Sequence, residues 1–312
     1  MDVSKRTYGY LAIILGAVLF GIWPSLSKLV LNAQVNPLLI AFLIQVIPGI
    51  VLAPTLRGIR VERGDWKFIA VAGIVGSVVG PIIYFYGLER TTASNSVLLS
   101  NTESLFTMVF AYTLLSERAT RREYVCLAGI AVGAFLVTTQ LRFGDIQFVG
   151  FLIGNVMLVA AAVCWAASNT VSTVLLRRIP IVPLLTIQLL IGATVFAPIV
   201  ILSGASLAVP LDILPVLIFL SLSAVGVFSV LFFYAFRTIG AMRTSAVLPT
   251  SALWGILVAL YLLPGETLGG VQILGGALMV GAVVALYVFR GPSEAGKGET
   301  LKPATSDGPD SP

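Results

Sequence analysis

Ten times along its 312 residues the chain runs apolar for about one helix length, with short polar or basic links between the runs. The hydrocarbon core of a bilayer is about 30 Å thick and takes about 20 apolar residues of helix to cross. No single soluble core could hide so many runs. Of the residues, 58% are hydrophobic and 11% charged, where ordinary globular chains carry about 25% charged residues. Mean hydropathy is +1.01. Lipid is therefore the expected solvent for most of the chain, and the run length suits helices rather than the shorter strands of a barrel. The expected spans are 8–31, 37–56, 67–88, 93–115, 122–140, 149–175, 182–203, 212–236, 244–263 and 268–290. The first begins after Lys5 and Arg6, is too long for a secretory signal and has no A-x-A cleavage site after it, so it reads as a retained helix. Residues 291–312 are rich in Gly, Pro, Ser and Thr, lack apolar periodicity, and read as a disordered tail.

The basic residues fix an orientation. With the N-terminus inside, 16 of the 19 Lys and Arg residues fall in inside segments, and only Lys28, Arg90 and Arg142 fall outside. That asymmetry is the positive-inside pattern. It places both termini in the cytoplasm and the chain in the cell membrane. It also accounts for the net charge of +5 without invoking nucleic acid.

An internal repeat divides the chain. The stretch YFYGLERTTASNSVLLSNTESLF from Tyr84 aligns without a gap on FFYAFRTIGAMRTSAVLPTSALW from Phe232. Tyr86 then matches Tyr234, Ala93 matches Ala241 and Thr102 matches Thr250. Further on, Gly133 falls on Gly281; nearer the front, Trp23 falls on Trp165 and Gln45 on Gln188. The halves are 1–143 and 148–290, five spans each. An odd number of spans per half makes the second copy enter from the opposite side. The expected fold is thus an all-α membrane protein of ten transmembrane helices, arranged as two inverted five-helix repeats around a central cavity, the architecture of alternating-access carriers.

Several chemistries are excluded. There is no histidine, which removes the Ser-His-Asp arrangement and the usual zinc sites. Cys126 and Cys164 lie inside apolar runs and read as small core hydrophobes. No GxxxxGK[ST] loop for ATP occurs, and no cofactor motif. The chain is not expected to be an enzyme.

Within the spans, one acid lies near mid-depth. Glu103 is ten residues beyond Ala93, roughly 15 Å along a helix. A carboxyl group there is costly in lipid and able to take up and release protons, so it needs a functional reason. Ser96, Ser100, Glu103 and Thr107 fall at i, i+4, i+7 and i+11, one face of a helix. Glu103 aligns with Ser251 of the second half, so the fold does not require the acid. The candidate substrate- or proton-binding set is Glu103, Ser96, Ser100, Thr107, Asn101, Trp23, Trp165, Thr244, Ser251 and Trp254. For the hydroxyl groups the competing reading is helix packing, and for the tryptophans it is packing too. Asn95 and Asn101 lie off the Glu103 face, with Asn101 placed to bond across to the ninth span. Pro249 frees a carbonyl at mid-depth. Asn155 and Asn169 lie on the sixth span. Gln45 and Gln188 read as bonds between helices. Glu117 and Glu266, at span ends, are expected to bond the start of the next helix. Gly129 and Gly133, repeated as Ala277 and Gly281, allow close helix contact within the bundle or in a homodimer.

These motifs together resemble the drug/metabolite transporter superfamily, in its ten-span EamA-type members. FGIWPSLSK in the first span is similar to the family's W-G…K pattern. LLSERATRREYVCLAGIAVGAFLV and LLPGETLGGVQILGGALMVGAVVA are similar to its E-x-[LT]…G…G pattern, with Glu117 and Glu266 as the acids. The second half departs from it, with no Gly before Trp165 and no Lys in its first-span pattern. The resemblance implies a bundle in which spans 1, 3, 4, 6, 8 and 9 surround a cavity, moving amino acids, other small metabolites, nucleotide sugars or drugs. The expected function is a secondary transporter exporting a small organic metabolite such as an amino acid, coupled to protons through Glu103. A passive channel is the alternative.

Overall fold

The computed structural model describes residues 3–91, 96, 99–139, 141, 151–204, 206–255 and 269–289. Every regular element among them is helical. In chain order they are α1 (Val3–Asn32), α2 (Pro37–Leu52, continued as a 3₁₀ turn Ala53–Leu56), α3 (Trp66–Glu89) and α4 (Thr102–Thr113), then α5 (Arg121–Thr139), α6 (Leu152–Leu175), α7 (Ile181–Leu202), α8 (Leu214–Ile239), α9 (Ala241–Val247, continued as a 3₁₀ turn Leu248–Thr250) and α10 (Gly270–Val288). Seven of them, α1, α2, α3, α6, α7, α8 and α10, are long and apolar enough to cross a membrane. The sequence leads one to expect ten. The other three expected spans, 93–115, 122–140 and 244–263, each include residues outside the described ones. Glu266, Asn95, Arg142 and the 291–312 tail lie outside the described residues.

Local chemistry sets several helix ends. Asn36 caps α2, its side-chain oxygen accepting the Leu38 N–H at 2.9 Å, with Pro37 at the first helical position. Thr120 and Glu123 form reciprocal bonds at the start of α5: Oε2 of Glu123 accepts the Thr120 N–H at 2.8 Å, and Oγ1 of Thr120 accepts the Glu123 N–H at 3.3 Å. Lys28, in the last turns of α1, donates to the carbonyls of Leu88 and Thr91, both at 2.8 Å, and so closes the end of α3. A cation at a helix C-terminus is favourable for the dipole as well as for the orphan carbonyls. Lys28→Met should therefore cost about 1–2 kcal/mol, read as a lower midpoint of thermal unfolding in detergent.

Helices pair across the two halves: α1 on α8, α2 on α7, α3 on α6, α4 on α9 and α5 on α10. Each pair whose contacts are resolved along its length is antiparallel. Gly9 at the start of α1 abuts Thr238 and Ile239 at the end of α8, while Gly16 abuts Phe228. Gly87 near the end of α3 abuts Gly154 and Met157 at the start of α6, and Gly80 abuts Trp165. Thr55 after α2 meets Thr186 early in α7, hydroxyl to hydroxyl at 3.3 Å. Gly133 packs on Gly275 and Met279, and Gly129 on Ala282. The small face of α5 is thus used inside the bundle. Its partner glycine on α10 is Gly275, while a Cβ at Gly281 would meet nothing within 4 Å.

Glu117 departs from expectation in a second way. It does bond a helix start, but that of α9 rather than of α5. Its carboxylate accepts the Ala241 N–H at 3.0 Å and the Met242 N–H at 2.8 Å. Gly240, at φ +90°, turns the chain sharply between α8 and α9 and aims those two groups at it. Glu123, fully buried, then ion-pairs with Arg243 one turn into α9, at 2.6 Å. Two acids from one segment therefore hold the beginning of the opposite half's fourth helix.

Candidate functional site

Two apolar clusters make the interior. One gathers around Trp23, Tyr84, Phe85 and Phe196, the other around Phe228, Phe232, Phe236 and the faces of α5, α7, α9 and α10. Between them lies a cavity of about 120 Å³. Residues of α1, α2, α3, α4, α6, α7 and α8 line it. The expected ring included α9 and omitted α2 and α7. Instead Ile44 and Gln45 of α2 and Leu185 and Gln188 of α7 form part of the wall, and no described residue of α9 lines it.

Both halves distort their helices at matching places. A π-helical stretch, Val75–Val79, interrupts α3, and another, Ser221–Val227, interrupts α8. Under the Tyr84–Phe232 alignment these overlap, and Gly76, Ser77, Ala224 and Val225 from them line the cavity. A π-bulge loosens the helical ladder and is frequent at functional sites. The Gly76 carbonyl accepts the Trp165 indole N–H at 3.0 Å, and the Ala72 carbonyl, one turn earlier, accepts the Ser168 hydroxyl at 2.9 Å. The fourth helix of each half breaks as well. Asn101 is a turn ahead of Thr102–Thr113, and Leu248–Thr250 is 3₁₀. Asn101 aligns with Pro249, so the interruptions coincide.

Glu103 sits in the first turn of α4, 5% exposed, and lines the cavity. Its Oε1 accepts the Asn169 side-chain N–H at 2.8 Å. Oε2 meets no donor among the described residues. Trp23 and Trp165 also line the cavity, their rings 5.8 and 5.2 Å from that of Tyr84. These three are the sequence candidates that the fold brings together.

The other candidates point elsewhere. The Ser96 hydroxyl donates to the Tyr84 hydroxyl oxygen at 3.3 Å, behind the aromatic wall. Ser100 is buried and does not line the cavity. Thr107 is buried too, and its hydroxyl has no hydrogen-bond partner among the described residues. The same holds for Nδ2 of Asn101, which does not make the expected bond across to the ninth helix, and for the hydroxyls of Ser104, Ser245 and Thr250. Of that polar stripe only Glu103 reaches the cavity wall, and α4 packs on both α6 and α9. Thr244 donates to the Gly240 carbonyl at 2.7 Å within its own helix. Ser251 is buried with its backbone carbonyl against Gly21 of α1. Trp254 is half-buried and away from the lining.

Other lining residues carried no binding role in the sequence. Asn169 stood there as a position on the sixth span, without a task; here it is the partner of Glu103. Gln188 bonds between helices as expected, donating to Ser172 at 2.8 Å, yet it also lines the cavity, as does Gln45. Phe20, Phe228, Phe232 and Phe233 complete the aromatic wall. A signal existed. Trp165, Ser168 and Asn169 fall at i, i+3 and i+4, as do Phe228 and Phe232 at i and i+4, spacings that put each set on one face.

Comparison with known proteins agrees with this architecture. The EamA-like transporter family matches residues 7–139 and again 152–288. An uncharacterized transporter of Methanothermobacter thermautotrophicus is 27% identical over 300 residues, 91% of this chain and 87% of that protein. The uncharacterized transporter YyaM of Bacillus subtilis is 23% identical over 228 residues, 71% of this chain and 73% of its own length. A solved crystal structure superposes with a TM-score of 0.71 at 20% identity, covering 92% of this chain and 98% of that one. At that identity the likeness speaks for the fold alone.

Proposed function

The chain belongs to the EamA-like transporter family of the drug/metabolite transporter superfamily, and from that premise we propose that it is a secondary carrier working by alternating access. It exports a small organic metabolite across the cell membrane and couples export to protons through Glu103. The observation that carries this is a nearly buried carboxylate in a cavity walled by seven helices drawn from both family-matched stretches. An acid in the interior of a membrane bundle is costly unless it handles ions, protons or substrate.

An inverted ten-span repeat is the architecture that suits the reading. Lys28 ties the ends of α1 and α3 together, so the two run in parallel. The start of α6 meets the end of α3, so α6, the counterpart of α1, runs the opposite way. The domains are then residues 1–143 and 148–290. The matched π-bulges and helix breaks support the same pseudo-symmetry, and interrupted helices at mid-depth are a carrier device. Arg6, Arg118, Arg122, Arg178 and Arg243 gather at the end where α1 and α5 begin and α6 and α8 finish, and Lys28 and Arg90 lie at the other. That distribution supports cytoplasmic termini. The Gly129–Gly133 face is occupied by α10, so a single chain is taken as the transporting unit rather than a homodimer built on that face.

In proteoliposomes, internal substrate should accelerate entry of labelled substrate, as a carrier requires and a passive channel does not. With wild-type protein an imposed pH gradient should drive accumulation. Glu103→Gln should lose the pH-driven component. A Gln variant whose uptake follows the gradient with the wild-type slope would remove Glu103 from coupling.

A further inference from the structure

The chemistry of the cavity wall narrows the cargo, on the condition that this cavity is the transport site proposed above. Glu103 is the one acidic group among the described lining residues, and none of them is Lys or Arg. Lys28 is engaged with the Leu88 and Thr91 carbonyls, and Arg243 with Glu123. Asn169 donates to one carboxylate oxygen, and among the described residues the other, in the cavity lining, has no donor. A carboxyl group with an unmet oxygen in a low-dielectric space is held as the anion only by a cationic N–H group. Around it stand Trp23, Trp165, Phe20, Phe228 and Phe232, whose ring faces attract a cation and pack against an apolar body. A second carboxylate in this space would meet no positive partner and the negative charge of Glu103.

Volume sets the size of that body. An apolar cavity of about 150 Å³ takes one benzene ring, and this one measures about 120 Å³. We infer that the site binds a small organic ammonium ion with an apolar part of about one ring and no carboxylate of its own. An amino acid, with a carboxylate beside its ammonium group, is thereby disfavoured, which amends the expectation drawn from the sequence.

Phenethylamine, phenylalanine and 3-phenylpropionate test this, because they share a ring and differ in charged groups. Binding to the purified full chain is read from tryptophan fluorescence, two of whose sources, Trp23 and Trp165, line the cavity. Phenethylamine should bind, and the other two should bind at least about thirtyfold more weakly, the scale of loss for a buried charge left unpaired. Glu103→Gln, which keeps the shape and the Asn169 contact, should melt like the wild type and lose phenethylamine by a similar factor. Phenylalanine binding as tightly as the amine would overturn the inference, and so would a folded Glu103→Gln that keeps the amine, or a wild-type chain that ignores it. The three-ligand comparison on wild type decides the matter even where the variant does not fold. Counterflow of the same ligands separates the two levels. Phenethylamine that binds without counterflow overturns the carrier reading and leaves the site chemistry standing. Counterflow of phenylalanine without the amine keeps the carrier and overturns the cargo class.

Discussion

Arg243→Ala is expected to lower the stability of the folded chain by about 3–5 kcal/mol, the usual result of stranding a buried charge. The stranded group is Glu123, whose side chain is 1% exposed. Its Oε1 takes both the Arg243 Nε–H at 2.7 Å and the terminal nitrogen at 2.6 Å, while Oε2 takes the Thr120 backbone and hydroxyl groups. Removing the guanidinium leaves a buried carboxylate with half of its partners. The double change Glu123→Gln with Arg243→Met should recover most of the loss, because the penalty lies in the unpaired charge rather than in the missing attraction. Arg178 offers an internal control. Its side chain is 64% exposed and lies 3.8 Å from Glu62, itself 78% exposed, and Glu62→Ala, which breaks that surface contact alone, should cost no more than about 1 kcal/mol. Thermal melts in one detergent give these values. An Arg243→Ala melt no lower than that of Glu62→Ala would mean that the buried pair contributes nothing special.

Gly21→Val is expected to have the second large effect. A Cβ at Gly21 would run into the Ser251 carbonyl oxygen and lie 2.9 Å from the Gly255 nitrogen. Both obstacles are backbone atoms, which cannot rotate away as a side-chain tip can. Helices α1 and α9 would have to separate at a point two residues from the cavity-lining Trp23. Overpacking of this kind costs about 1–3 kcal/mol, occasionally more, and here it also displaces a wall of the site. The variant should melt lower than the wild type and lose counterflow. Gly281→Ala is the matched control, since its Cβ would meet nothing within 4 Å and should leave both measurements near wild type. Equal melting of Gly21→Val and wild type would show that the two helices do not depend on this contact.

How far the site could be read beforehand depended on what each residue needed to be recognised. Glu103 stood out from its own surroundings, as a carboxylate within an apolar run, whatever its neighbours turned out to be. The Trp23–Trp165 pair was found from the repeat. The Ser96, Ser100 and Thr107 stripe had the right spacing for a polar face, but spacing says only that residues share a face. It does not say whether that face meets a cavity or another helix, and the Ser96 hydroxyl bonds Tyr84 of α3 instead. Asn169 is the opposite case. Nothing in its sequence neighbourhood tied it to Glu103, sixty-six positions away, and only the packing of α6 on α4 joined them. Likewise T-x-x-E at Thr120–Glu123 is a legible helix start, whereas Arg243 as the partner of Glu123 is not.

Hydropathy, charge asymmetry and internal repetition are sums over many residues, and they marked this chain as a multi-span helical membrane protein with one acid where lipid would forbid it, while its motifs carried the resemblance to a transporter family. The tertiary structure decided which helices wall the cavity, that the α4 hydroxyls turn away from it, and that Glu117 and Glu123 reach across to the other half. The physical reason is that a bilayer acts on each span separately and so leaves its mark on local composition. A cavity is made by side chains from helices far apart in the chain, held at distances of a few ångströms by contacts that no single span records.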